Sequence, residues 1–233
     1  MLVAQAFGAQ PYLVSASAGE AVATHHYLIY AGLGAIAALV GVALMRSVAE
    51  MEALTRRLPI PSAWRPVLGG VLLIPLALLT PQVLSAGHGA LHLDLEYGLP
   101  LTFIAAVFVM KCAGSIVSLG FGFRGGLFFA SLFLGSLLGH LFAGLLALAA
   151  GQAVVDPQNA ALVGMAALAV AVVGGPMTMA MLVLEATHDV PLAAASLAAV
   201  LVASTIVRET FGYSFSTWRL HLRGETIKSA RDV

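Results

Sequence analysis

Residues 120–139, reading GFGFRGGLFFASLFLGSLLG, put a polar, glycine-rich break directly before an apolar run. The double glycine Gly125-Gly126 allows a sharp bend, and a helix starting after it presents N–H groups that have no intrahelical acceptor. Those donors, with the positive end of the helix dipole, make an anion site that carries no full positive charge. A site that holds an anion weakly suits conduction, because a permeating ion must both enter and leave. Gly125, Gly126, Leu127 and Phe128 are therefore the candidate anion-binding backbone. A re-entrant turn whose N–H groups are capped by neighbouring carbonyls is the alternative reading of the same residues. Arg124 beside the turn either adds a positive field or snorkels to an interface.

Other chemistry-bearing residues are few. Gly174-Gly175-Pro176 with Thr178 is a second break before a helix, with proline suited to the first turn. Glu185, in LVLEATHD, is a candidate intramembrane charge, or an interfacial one given His188 and Asp189 beside it. Lys111 falls in the middle of an apolar run, where a cation costs about 2.5–3.5 kcal/mol on insertion scales, so it is expected to face protein in a structural role. His88 and His92 have the i, i+4 spacing of a metal pair, but no third ligand is evident and glycines flank them, so no metal is expected. The His25-His26 pair precedes an apolar run and reads as an interface feature. H-E-x-x-H, G-x-S-x-G and G-x-x-x-x-G-K-[ST] are all missing from the sequence, so it supports neither an enzyme nor a cofactor.

The elements that must position these residues are membrane helices. The chain has 233 residues, 60% hydrophobic and 9% charged, with a mean hydropathy of +0.97. Soluble domains carry about 25% charged residues, so this composition predicts a polytopic, all-α membrane protein. Zero net charge argues against a nucleic-acid partner. Candidate spans are residues 27–48, 67–84 (interrupted by Pro75), 99–119 and 127–150. Shorter pieces follow at 160–173 and 177–186, then a long span at 191–211 and an amphipathic piece at 215–222. Glycine and proline breaks between segments too short to cross about 30 Å upright predict discontinuous, tilted helices lining a membrane site. Gly32, Gly34, Gly41 and the pair Gly135/Gly139 predict close helix packing. Arg46, Arg56, Arg57 and Arg65 form one basic cluster and Arg219, Arg223, Lys228 and Arg231 another, which puts both, and the C-terminus, on the cytoplasmic face. Cys112 is the only cysteine, so no intrachain disulfide can form.

Three segments together resemble the CLC family of chloride channels and chloride–proton antiporters. GFRGGLFFASLFLGSLLG resembles the family's G-x-F-x-P segment, with Ala130 at the proline position. VGMAALAVAVVGGPMTMAMLVLEATHD, residues 163–189, resembles the next motif region, and GYSFSTWRLHLRG, residues 212–224, resembles the last membrane helix. The segments occur in family order, and the resemblance extends over essentially the whole chain. It implies a homodimer in the lipid bilayer with one anion pathway per subunit. It also implies chloride or a similar small anion held by the backbone N–H groups of Leu127 and Phe128. The tyrosine that many members carry on the last helix is matched by Ser216, or by Phe215 after a one-residue slip, so both are possible inner-pathway residues.

The family's G-S-G-I-P and G-[KR]-E-G-P segments, the latter with the gating glutamate, find no match. The resemblance thus implies the C-terminal half of a CLC membrane domain at residues 1–223, followed by a cytoplasmic tail at 224–233. The expected function is anion transport as part of a channel or antiporter in a bacterial inner membrane. This chain would need the N-terminal half and conduct little alone. The rival readings are a non-conducting scaffold or truncated remnant, and an unrelated transporter with broken helices.

Overall fold

A computed structural model of the chain describes residues 25–79, 100–123 and 127–212. Those residues form seven helices and no strand: α1 (His26–Arg57), α2 (Arg65–Leu79), α3 (Leu101–Gly120), α4 (Leu127–Ala150), α5 (Pro157–Val173), α6 (Pro176–Thr187) and α7 (Val190–Thr210). The fold is all-helical, as the composition predicts. α1, α3, α4 and α7 are long and apolar enough to cross a membrane, whereas α2, α5 and α6 are shorter apolar helices. The expected piece at 215–222, the tail at 224–233 and the second basic cluster lie outside the described residues, as do His88 and His92.

Local chemistry accounts for the helix ends. α5 begins at Pro157, three residues before the expected start, because the Asp156 carboxylate caps it by accepting the Asn159 N–H at 2.9 Å. Asp189 does the same for α7, accepting the Leu192 N–H at 3.1 Å. α5 stops where Gly174 and Gly175 take φ of 91° and 75°, left-handed values that glycine adopts without steric cost, and α6 starts at Pro176. α1 spans 32 residues, about 48 Å, but its charges begin at Arg46. The apolar part before Arg46 is about 28 Å long, close to a hydrocarbon core, so the basic end projects beyond it.

α2 differs from expectation. It runs through Pro75 to Leu79, although proline removes one bond to the Val71 carbonyl. The remainder of that expected span, beyond residue 79, lies outside the described residues.

α5 is the centre of the molecule: every residue from Asn159 to Val172 is buried. A helix apolar on all sides is stable only when protein or lipid surrounds it, and here α4, α1, α7 and α6 do. Small residues set these contacts. Gly135 and Gly139 of α4 meet the backbone at Gly164 and Ala160 of α5, and Gly34 of α1 meets the backbone of Ala199 in α7. Gly41 faces Ala171, where a Cβ would come within 2.7 Å of the alanine methyl. Gly32, expected to join this packing, instead faces open space with nothing within 4 Å of a Cβ. Tyr27 of α1 donates its hydroxyl to the Pro191 carbonyl at 3.4 Å, tying the start of α1 to the start of α7.

Candidate functional site: the junction of α3 and α4

The candidate anion segment lies between two helices whose facing ends are built differently. α3 closes with three backbone bonds: Phe121 N–H to Val117 O at 3.0 Å, Gly122 N–H to Leu119 O at 3.1 Å, and Phe123 N–H to Ser118 O at 3.1 Å. With Gly122 at φ 94°, the last two make a Schellman motif. The glycines of GFG thus have separate duties. Gly120 lies against Met51 of α1, where a Cβ would be 2.7 Å from the Met51 Cβ, and Gly122 makes the left-handed turn. The motif occupies carbonyls at the negative end of the α3 dipole, which weakens the repulsion that end would exert on a nearby anion.

Gly125 and Gly126, with Arg124, lie outside the described residues. α4 begins at Leu127, so the Leu127 and Phe128 N–H groups occupy its first turn and have no acceptor within the helix. Phe128 is half-buried against the core, and its ring meets that of Phe129 edge to face at 5.1 Å. Ser131, which sequence reading passed over, is buried and donates its hydroxyl to the Phe128 carbonyl at 2.7 Å. This bond ties the first turn together through an acceptor and leaves the amide donors unconsumed. Its only signal in the sequence is a hydroxyl four residues after the first helical position.

Lys111 is 4% exposed on α3, with Nζ 5.9 Å from the centroid of the buried Phe133 ring on α4. Its cation therefore lies at the α3–α4 contact. Glu185 stands elsewhere, exposed near the end of α6, which packs on α5 and α7. The two charges grouped as possible intramembrane residues thus belong to different parts of the fold. Thr178, after the second break, is exposed in the first turn of α6. Phe215 and Ser216 lie outside the described residues. α4 buries two further polar side chains, Ser136 and His140, and α7 buries Ser196, whose Oγ has no hydrogen-bond partner among the described residues. None of these three stood out in the sequence, because isolated polar residues in an apolar run carry no spacing signal.

Comparison with known proteins gives a consistent picture. The model of the voltage gated chloride channel family matches residues 1–208. A putative ClcB-like chloride channel protein of Ralstonia nicotianae is 33% identical over 161 residues, covering 69% of this chain and 37% of that protein. The chloride channel protein CLC-e of Arabidopsis thaliana is 32% identical over 196 residues, covering 76% of this chain and 28% of that protein. The voltage-gated ClC-type chloride channel ClcB of Escherichia coli is 28% identical, covering 84% of this chain and 47% of that protein. Among solved structures, a slow cyanobacterial Cl⁻/H⁺ antiporter superposes with a TM-score of 0.81 at 22% identity, over 92% of this chain and 50% of that one. That likeness establishes the fold. The chain spans less than half the length of these curated relatives.

Proposed function

Because this chain belongs to the voltage-gated chloride channel family, we propose that it carries one wall of a pathway for chloride or a similar small anion, in a channel or a proton-coupled antiporter. The observation that supports this reading most directly is the α3–α4 junction. A Schellman-closed helix end is followed, four residues after Phe123, by the amide-bearing first turn of α4. Backbone N–H groups there would hold the anion without a fixed positive charge, and Ser131 would keep that turn in shape by bonding to the Phe128 carbonyl. Gly125 and Gly126 would let the chain approach the ion, and Ser216 or Phe215 would line the inner end of the path. Lys111, packed on Phe133, would contribute a distant positive field and chiefly structure, and Glu185, exposed near the end of α6, is given no role in proton coupling.

The protein acts as a homodimer in a bacterial inner membrane, with the basic ends of α1 and α2, and the C-terminus, on the cytoplasmic side. The uneven placement of Arg56, Arg57 and Arg65 supports that orientation. The pathway is completed by elements that this chain does not supply, a reading supported by the length of its relatives.

Chloride efflux from proteoliposomes tests the proposal. The chain would be reconstituted alone and together with the segment of a curated relative that it does not span. Efflux from the pair and none from the single chain is the expected result. Efflux from the single chain would overturn the shared-pathway reading. Silence from both, with the helices shown to be folded, would favour a non-conducting scaffold.

A further inference from the structure

A cavity of about 370 Å³ opens at the basic end of the molecule, against the closed end of α3. Its walls are the last two turns of α1 (Glu52, Thr55, Arg56), the α1–α2 connection (Ser62), the start of α2 (Arg65, Pro66), and residues 120–122 after α3. Two arginines and two hydroxyl-bearing residues thus line one volume. Among the described lining residues Glu52 is the only acid, and it is already bound to Arg56 at 2.8 Å. These residues therefore carry one net positive charge, and a cation would find among them no carboxylate free of an arginine. Arg65 donates Nε to the Ile60 carbonyl at 3.4 Å, an anchor that fixes its side chain while the terminal nitrogens remain available for a planar, two-pronged contact. The N-terminal end of α2 adds its positive dipole.

The surface next to this cavity is apolar. Leu68, Leu72, Pro75 and Leu79 follow the i, i+4, i+7, i+11 spacing of the exposed face of α2 nearest Arg65, and each is exposed. The stripe is about 16 Å long, close to half of a hydrocarbon core. Trp64, also exposed, stands at its polar end, the position at which indole favours a membrane interface. A basic pocket at the head of an apolar stripe one leaflet long fits one class of molecule.

We propose that this cavity is a binding site for an anionic phospholipid, whose phosphate is held between Arg56 and Arg65 and whose acyl chain lies along the exposed face of α2. Phosphate suits the site because guanidinium groups pair with its oxygens bidentately, and Ser62 can donate a third bond. A zwitterionic lipid brings its own cation to a pocket that already has an excess of positive charge, and so binds less well.

The site is tested without reference to transport, on the full chain in a neutral detergent. Its thermal unfolding midpoint is followed on adding phosphatidylglycerol, phosphatidylcholine or inorganic phosphate. Near-saturating phosphatidylglycerol should raise the midpoint by roughly 5 °C more than phosphatidylcholine does. Arg65→Gln and Arg56→Gln should each remove most of that difference, whereas Arg57→Gln, a neighbouring charge outside the cavity, should keep it. Arg65→Lys should recover part of it, since charge survives while the planar fork is lost. Native mass spectrometry of the same variants counts retained lipid independently of stability. Equal responses to the two lipids would overturn the proposal, as would a difference that survives in Arg56→Gln and Arg65→Gln. A midpoint shift reproduced by inorganic phosphate alone would overturn the lipid assignment.

Discussion

Gly135 of α4 and Gly164 of α5 face each other with no room for a side chain between them. A Cβ on Gly135 would stand 2.9 Å from the Gly164 carbonyl carbon, and one on Gly164 would stand 2.9 Å from the Gly139 Cα. The neighbours on both sides are backbone, which cannot rotate out of the way. This crossing holds the buried helix α5 against α4, the helix whose first turn carries the candidate anion donors.

Gly135→Ala and Gly164→Ala should therefore destabilise the protein, each by about 2 kcal/mol, the ordinary cost of overpacking a tight core. Gly32→Ala is the matched control: its Cβ meets nothing, and alanine is the better helix former, so stability should hold or rise slightly. Thermal unfolding of the three variants in detergent checks this. Equal losses at positions 32 and 135 would mean that the close approach does not set the packing.

The amide donors at the start of α4 can be removed one at a time with little damage to the helix. Proline lacks the N–H and is well tolerated in a first helical turn. Leu127→Pro and Phe128→Pro should each weaken anion binding by about tenfold, in line with the loss of one charge-assisted hydrogen bond. Isothermal titration with chloride on the complete assembly measures this, with circular dichroism to verify the helix. Unchanged affinity in both variants would remove these amides from the pathway.

Gly122 has open space around it, so a side chain there costs only backbone strain. Gly122→Ala should lose about 1 kcal/mol, because φ of 94° is unfavourable for a residue with a Cβ. Gly122→Asn should lose less, since asparagine visits the left-handed region more readily. Unfolding midpoints of the pair give the comparison. An alanine variant as stable as the parent would argue against the Schellman closure of α3.

Asp156 caps the most buried helix in the fold. Asp156→Ala should cost about 1 kcal/mol, whereas Asp156→Asn should be close to neutral, because the amide oxygen can accept the Asn159 N–H as well. The same midpoint measurement reads the difference, and equal losses in the two variants would put the effect outside the cap.

Much of this architecture is legible in the residue order, for identifiable reasons. Hydropathy marks the helices because an apolar run is stable only where lipid or protein surrounds it. Gly174-Gly175-Pro176 marks a break because left-handed φ and a fixed proline ring suit a helix end and the next helix start. The resemblance of residues 163–189 to a family motif pointed to the family that residues 1–208 match. At the candidate site, the sequence pointed to the glycine break and the amides of Leu127 and Phe128. It did not point to Ser131, whose bond to the Phe128 carbonyl depends on helix geometry.

What only the tertiary structure decided is what each apolar surface faces. Lipid and protein interior are equally apolar, so hydropathy cannot separate α5, buried along its length, from α2, which exposes a stripe from Leu68 to Leu79. The same ambiguity covers Gly32 and Gly34, two positions apart, of which one faces open space and the other the backbone of Ala199. Composition and local backbone preference determined that helices form and where they break. Three-dimensional contact alone brought Arg56 and Arg65, nine residues apart, to one cavity beside Gly122, and Lys111 to the ring of Phe133.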